Sequence, residues 1–182
     1  MRLVLLGGAP GIGKNSVARA VLTHHHSTSD GPDPQGDLRQ ATPLLQWIDV
    51  DGLWLHQPWR VDQAMRDLVG ANLRALLGNA AAAGVDVVLV TWTFHNNQLR
   101  RVVVDAAPEG TGVRTVQLVA DQGVWEARFN ADPDRPTVDD FYRGRHADAQ
   151  AMRADVVVDT TAVSIEQAAA RVAAETLGAG MR

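Results

Sequence analysis

The residues best suited to chemistry lie in one stretch, Gly7-Gly8-Ala9-Pro10-Gly11-Ile12-Gly13-Lys14-Asn15-Ser16, and the chemistry they suit is the holding of a phosphate. Gly8, Gly13 and Lys14 fill three of the four fixed positions of the pattern G-x-x-x-x-G-K-[ST]. Glycines let backbone N–H groups curl around a phosphate with no Cβ in the way, and a helix N-terminus behind the loop adds positive potential. Lys14 supplies a point charge for the outer phosphates. Gly11, Ile12, Gly13, Asn15 and Ser16 complete the expected cradle. The fourth fixed position departs from the pattern: Asn15 stands where Ser or Thr would offer a hydroxyl to Mg²⁺. Ser16 comes next, but one helical step turns it about 100° from that position. Asn15 can still offer its amide oxygen to a hard cation on a longer arm. Lys14 is the only lysine; every other one of the 17 Lys and Arg positions is arginine. A planar guanidinium and a compact ammonium are not interchangeable at such a site.

A second group follows the apolar run Leu44–Ile48. Asp49 and Asp51 leave the end of that strand on one side, being two residues apart. In a parallel α/β sheet the C-terminal edge of the strands is where ligands sit. One carboxylate can hold Mg²⁺ through water while the other meets a substrate hydroxyl; the same pattern also writes a turn or a helix cap. Trp54, Pro58 and Trp59 come next in a short loop, and either line a pocket or cover the edge of the core. Arg66 and Arg74, two turns apart on the following helix, read as a solvated face or as contacts for a phosphate. The tip of the third strand, Thr91-Trp92-Thr93, carries no acid and should face the same cleft. His95 beyond it suits a base or a solvated loop.

Positioning these residues requires alternating strands and helices. Leu3–Leu6, Leu44–Ile48, Val85–Val90, Val113–Val119 and Val156–Val158 read as five strands. Between them lie helical patterns: one after the glycine loop, one from an Asp62 cap to Ala82 with Gly84 as its stop, and one over about Asn97–Ala106. Another is capped by Asp121, and a further one by Thr137, with Asp139 and Asp140 in its first turn. Ser164-Ile165-Glu166-Gln167 writes a capping box for the last helix, with Gly178 as its stop. The expectation is a parallel sheet with helices on both faces. His24-His25-His26 reads as a polar helix end, and residues 27–43, rich in Ser, Asp, Gly, Pro and Gln, as a flexible insertion.

Bulk properties narrow the class. The chain has 182 residues, 46% hydrophobic and 21% charged, which fits one globular domain. A net charge of −4 leaves no basic footprint for nucleic acid. There is no cysteine, hence no disulfide, Fe–S cluster or zinc thiolate. Met1–Leu6 is too short for a signal peptide, and no apolar run spans a membrane, so a cytoplasmic protein without a membrane partner is expected.

The phosphate loop Gly8–Lys14, Asp49-Val50-Asp51, Arg128 with Arg135-Pro136, and Asp159-Thr160-Thr161 occur in an order that resembles the small P-loop kinases, the group of shikimate kinase, gluconate kinase and chloramphenicol phosphotransferase. The likeness covers most of the chain outside Ser27–Pro43. It implies a P-loop NTPase fold, a five-stranded parallel sheet of order 2-3-1-4-5 in a single domain over residues 1–182, with a short lid near 130–137. It implies ATP and Mg²⁺, with Asp49 helping to hold the metal alongside Asn15. Asp51 would meet the acceptor hydroxyl, and Arg135 in the lid would close on the phosphates, with Arg128 a second candidate. Thr160 and Thr161 would border the adenine. Trp54, Arg66 and Trp92 are the candidate acceptor contacts. Thr91-Trp92-Thr93 replaces the glycine-rich turn of shikimate kinase, which argues against shikimate. Without a second lysine, the N-K-x-D guanine motif is absent. The implied activity is ATP-dependent phosphorylation of a hydroxyl on a small molecule. A nucleoside monophosphate kinase and a nucleotide-binding protein with weak or no catalysis are the alternatives. The oligomeric state is not implied.

Overall fold

The computed structural model describes residues 1–29 and 43–177. Five strands, β1 (Arg2–Gly7), β2 (Leu45–Asp49), β3 (Val87–Thr91), β4 (Gly112–Val119) and β5 (Val156–Asp159), alternate with helices. These are α1 (Lys14–Ser29), α2 (Gln63–Ala82), α3 (Asn97–Val104), α4 (Gln122–Asn130), α5 (Asp140–Gln150) and α6 (Ile165–Leu177), with a 3₁₀ turn at Val50–Leu53 after β2. All the strand pairs are parallel, and the sheet order is β2-β3-β1-β4-β5. This is the expected 2-3-1-4-5 order.

β1 is central because its side chains are apolar on both faces. Val4 and Leu6 pack on one side with Leu89 and Leu118, under Val17 and Val21 of α1 and Ala168 and Val172 of α6. Leu3 and Leu5 pack on the other with Val88 and Val90, under Leu73 and Leu77 of α2 and Val103 of α3. Alternation along a strand therefore divides one sequence run between two cores. The strand order changes direction at β1, so the turn after it lies at the sheet's switch point, where open α/β sheets bind ligands.

Several helix starts are written locally. The Asp62 side chain accepts from the Met65 N–H at 3.0 Å. Ser164 and Gln167 exchange two bonds: the Gln167 N–H donates to Ser164 Oγ at 3.2 Å and the Ser164 N–H to Gln167 Oε1 at 3.0 Å. Two caps differ from expectation. α5 is capped by Asp139 rather than Thr137, since the Asp139 carboxylate accepts from the Tyr142 N–H at 3.0 Å. Asp121 occupies the cap position of α4 without a capping hydrogen bond. α1 continues to Ser29, so the first residues of the expected 27–43 insertion are helical; residues 30–42, and the stop expected at Gly178, lie outside the described residues. Among the described residues no helix is long and apolar enough to cross a membrane.

Candidate active site

The loop between β1 and α1 is held from below and from the side. Gly8, Gly11 and Gly13 all have positive φ, 148°, 77° and 100°. At Gly11 a Cβ would come within 2.7 Å of the Phe129 ring, so that position needs glycine for conformation and for contact. At Gly13 nothing lies within 4 Å of where a Cβ would stand, which leaves open space on the concave side of the loop. Trp125, fully buried on α4, donates its indole N–H to the Pro10 carbonyl at 2.7 Å. Its ring stacks on His146 of α5 at 4.4 Å, and His146 Nε2 lies 3.1 Å from the Ala120 carbonyl. No spacing rule links Pro10 to Trp125; only the packing of α4 against the loop does.

Lys14 lies at the focus. Its side chain curls back over the loop, donating to the Gly8 carbonyl at 3.1 Å and the Ala9 carbonyl at 2.9 Å, with only 9% of the residue accessible. Burial pulls its ammonium down to about 8; the carboxylates of Asp51 and Asp49 oppose that shift, and the Arg135 guanidinium adds to it. The β2 tip, the phosphate loop and the segment after α4 thus converge electrostatically on one nitrogen.

Asp49 and Asp51 sit at the β2 tip, as the strand reading expected. Asp49 Oδ2 accepts from the Asn15 side-chain amide at 2.7 Å, and Oδ1 from the Asp51 N–H at 3.3 Å. Asn15 therefore turns its NH₂ to the carboxylate, and Asp49 caps the 3₁₀ turn that aims Asp51. Burial raises the Asp51 carboxyl above its ordinary value; Lys14 opposes this, Asp49 adds to it, and the Trp92 and Trp54 indoles oppose it as hydrogen-bond partners.

Beyond the loop, Arg128 of α4 donates to Thr160 Oγ1 at 3.2 Å and to the carbonyls of Thr160 at 2.7 Å and Thr161 at 3.4 Å. Arg128 and Thr160 border a cleft of about 380 Å³ that runs from Gly11 and Gly13 to Val163 and Ile165. Arg135 is anchored differently. Its Nε meets Asp132 at 2.9 Å, and its guanidinium lies 5.1 Å over the Phe129 ring, the ring on which Gly11 rests. The two arginines are thus anchored apart: one is tied to the β5–α6 turn, the other lies over the Phe129 ring.

On the opposite side, Trp92 is almost entirely buried in the α2–α3 core, and Trp54 is half-buried against it. Thr91 is fully buried and accepts from the Trp47 indole at 3.0 Å, so it faces away from the cleft that it was expected to line. Ser16, Arg66 and Arg74 are exposed. His95 lies near Thr93 Oγ1, at 3.2 Å, with its pKa lowered by burial and by Arg145. Among the described residues no three of His, Cys, Asp and Glu cluster as a metal site.

No protein-family model matches the sequence, and no curated protein matches it. Solved structures match over nearly the whole chain. A sugar kinase from Janibacter sp. HTCC2649 is 17% identical, with a TM-score of 0.62, over 94% of this chain and 92% of its own. The tunicamycin resistance protein of Deinococcus radiodurans is 16% identical, with a TM-score of 0.64, over 96% and 94%. The Mycobacterium tuberculosis APS kinase, solved with AMPPNP and APS, is 19% identical, with a TM-score of 0.56, over 94% and 94%. The chain has the fold of the small P-loop kinases, as the order of its motifs implied.

Proposed function

We propose that this protein is an ATP-dependent kinase that phosphorylates a hydroxyl group of a small molecule. The observation that carries the reading is the convergence on Lys14: the loop carbonyls anchor its ammonium, and Asp51 and Asp49 from the β2 tip and Arg135 from the segment after α4 all act on it. Phosphoryl transfer requires mainly positioning and charge stabilisation, which is what such a convergence provides.

In this reading the triphosphate lies along Gly8–Ser16. The open face at Gly13 admits its oxygens, and backbone N–H groups of Gly11, Ile12 and Gly13 donate to them. Lys14 leaves the Gly8 and Ala9 carbonyls for the outer phosphates. The base enters the cleft beside Thr160 and Thr161, where the guanidinium of Arg128 is already fixed as a wall. Arg135 approaches from above and neutralises charge on the transferring group. Asp51 accepts the proton of the acceptor hydroxyl. That oxygen forms a bond to the γ-phosphorus while the bond from the γ-phosphorus to the β–γ bridging oxygen breaks, and ADP departs with the electron pair. Asp49 fits a hard cation by its chemistry, and Asn15 would orient that carboxylate rather than ligate through its NH₂. Mg²⁺ held there would neutralise phosphate charge.

The test is calorimetric titration with ATP, followed by measurement of ADP release over a panel of hydroxylated acceptors. Micromolar to millimolar ATP binding that is lost in Lys14→Ala, with acceptor-dependent ADP release, is the expected result. ATP affinity unchanged by Lys14→Ala would remove the reading. ATP binding without release on any acceptor would leave a nucleotide-binding protein instead.

A further inference from the structure

A chain of aromatic rings climbs out of the core beside Asp51. It starts at Phe94, fully buried, and passes to Trp92 at 6.0 Å and Trp54 at 6.1 Å. Trp54 meets Trp59 at 5.2 Å, and His56 stacks on Trp59 at 5.2 Å with planes 23° apart. The first contacts are edge-to-face, a favourable geometry for aromatic pairs. Accessibility rises along the chain: Trp92 is 6% exposed and Trp59 53%. Leu55 and Val61, in the same loop, are also exposed, at 79% and 49%. A clustered apolar surface rimmed by polar groups commonly marks a binding site. Here it adjoins the exposed Asp51 carboxylate, and apolar walls that give area with one or two polar groups that give orientation are the usual composition of a small-molecule site.

Charge narrows the occupant. Arg60, the basic residue of the loop, is held by Asp62 at 3.2 Å. The charges acting on Asp51 are those of Lys14 and Asp49, and Lys14 belongs to the triphosphate in the kinase reading. The loop thus offers rings and carboxylates to an acceptor, and its arginine, Arg60, is paired with Asp62. An anionic acceptor would be repelled by the Asp51 carboxylate, whereas an uncharged ring meets only apolar faces.

We propose that Trp54 and Trp59, backed by the buried Trp92, form the acceptor wall, and that it selects an uncharged alcohol carried on a planar or ring-bearing molecule, stacked on Trp59 with its hydroxyl at Asp51. This rests on the kinase reading above for the role of Asp51. His56 stacks on Trp59 and Trp54 meets it edge-to-face, so the ligand takes the part of the ring that those two leave exposed. Trp59 and the exposed Leu55 act as specificity residues, outside the transfer chemistry. A compact acid such as gluconate lacks the ring face and carries the wrong charge.

The experiment uses the full chain and four probes: phenyl β-D-glucoside, methyl β-D-glucoside, gluconate and UMP. Binding is followed by tryptophan fluorescence without nucleotide, and ATP binding separately by calorimetry. Phenyl glucoside is expected to bind about 10-fold or more tightly than methyl glucoside, a discrimination typical of one apolar contact surface. Gluconate and UMP are expected to bind more weakly still. Trp59→Ala should abolish the phenyl preference and leave ATP affinity unchanged, while Trp59→Phe should keep most of it. Equal binding of the two glucosides, tighter binding of gluconate or UMP, or a Trp59→Ala change in oligomeric state without loss of phenyl glucoside affinity would each overturn the proposal. Loss of ATP binding by the wild-type chain would instead overturn the kinase reading, since the fluorescence preference is measured without nucleotide.

Discussion

Lys14 sets the first two expectations at the scale of single residues. Its pKa falls on folding, to about 8 from the ordinary lysine range, because burial disfavours the ammonium. The charged form therefore opposes the fold at pH 7, and stability regained from this group appears as pH rises from about 8 toward the unfolded value. Lys14→Met should accordingly melt at or above the wild-type temperature at pH 7, despite losing two hydrogen bonds to loop carbonyls worth about 1 kcal/mol each. A fall of many degrees by calorimetric melting would mean that the lysine supports the loop. Phosphates restore the ammonium's charge, so ATP binding above pH 8 should take up a proton, and affinity should decline as pH rises. Titrations at pH 8.5 in buffers of different ionisation heat measure the uptake; none at all would place Lys14 away from the phosphates. Asn15 gives the second expectation. Its NH₂ occupies Asp49 Oδ2 at 2.7 Å. Asn15→Thr frees that oxygen and adds a hydroxyl, so the Mg²⁺ concentration for half-maximal ATP affinity should drop several-fold, and Asp49→Asn should raise it. An unchanged or raised requirement in Asn15→Thr would show that the amide itself serves the metal site.

At the scale of elements, the phosphate loop is shaped by α4 and α5 as much as by its own glycines. The Trp125 indole reaches Pro10 across a sequence separation of 115 residues, with His146 stacked behind it. Trp125→Phe keeps most of the ring and removes the donor. Leaving the Pro10 carbonyl without that partner should cost about 1–3 kcal/mol, read by urea unfolding. ATP affinity should fall a few-fold as the loop loosens, and Gly11, which rests on Phe129, loses the rigidity of its neighbour. Lower stability with wild-type affinity would make the brace a purely structural contact. β2 behaves similarly: its five residues end at Asp49, and the 3₁₀ turn begun by that cap holds Asp51 at the exposed strand tip, where its charge acts on Lys14. The strand's apolar run made its existence legible; the direction taken by the turn depends on the Asp49 bond to the Asp51 N–H.

At the scale of the whole molecule, nucleotide binding should stabilise the fold by linkage. At 100 times Kd the gain is about 2.7 kcal/mol, which for a domain of this size shifts Tm by about 5–10 °C. Thermal melts with and without ATP measure it, and Lys14→Ala should remove the shift. The amino-acid sequence by itself determined the elements and the loop. Glycine spacing, apolar runs of strand length, helical periodicity and caps such as Asp62 and Ser164 act between residues a few positions apart, so the chemistry is readable along the chain. The Asp139 cap of α5 was misplaced at Thr137 because neighbouring polar residues compete for the same role, and only one of them has the backbone to hold it. The tertiary structure alone decided which side chains meet across long separations. Asn15 faces Asp49, Arg128 is fixed to Thr160 and Thr161, Trp125 is under Pro10, and Trp59 stands at the open end of a ladder begun at Phe94. Those pairings follow from the parallel order β2-β3-β1-β4-β5, which brings the strand tips to one edge. No local spacing encodes them, because burial and packing are properties of the assembled sheet rather than of any segment within it.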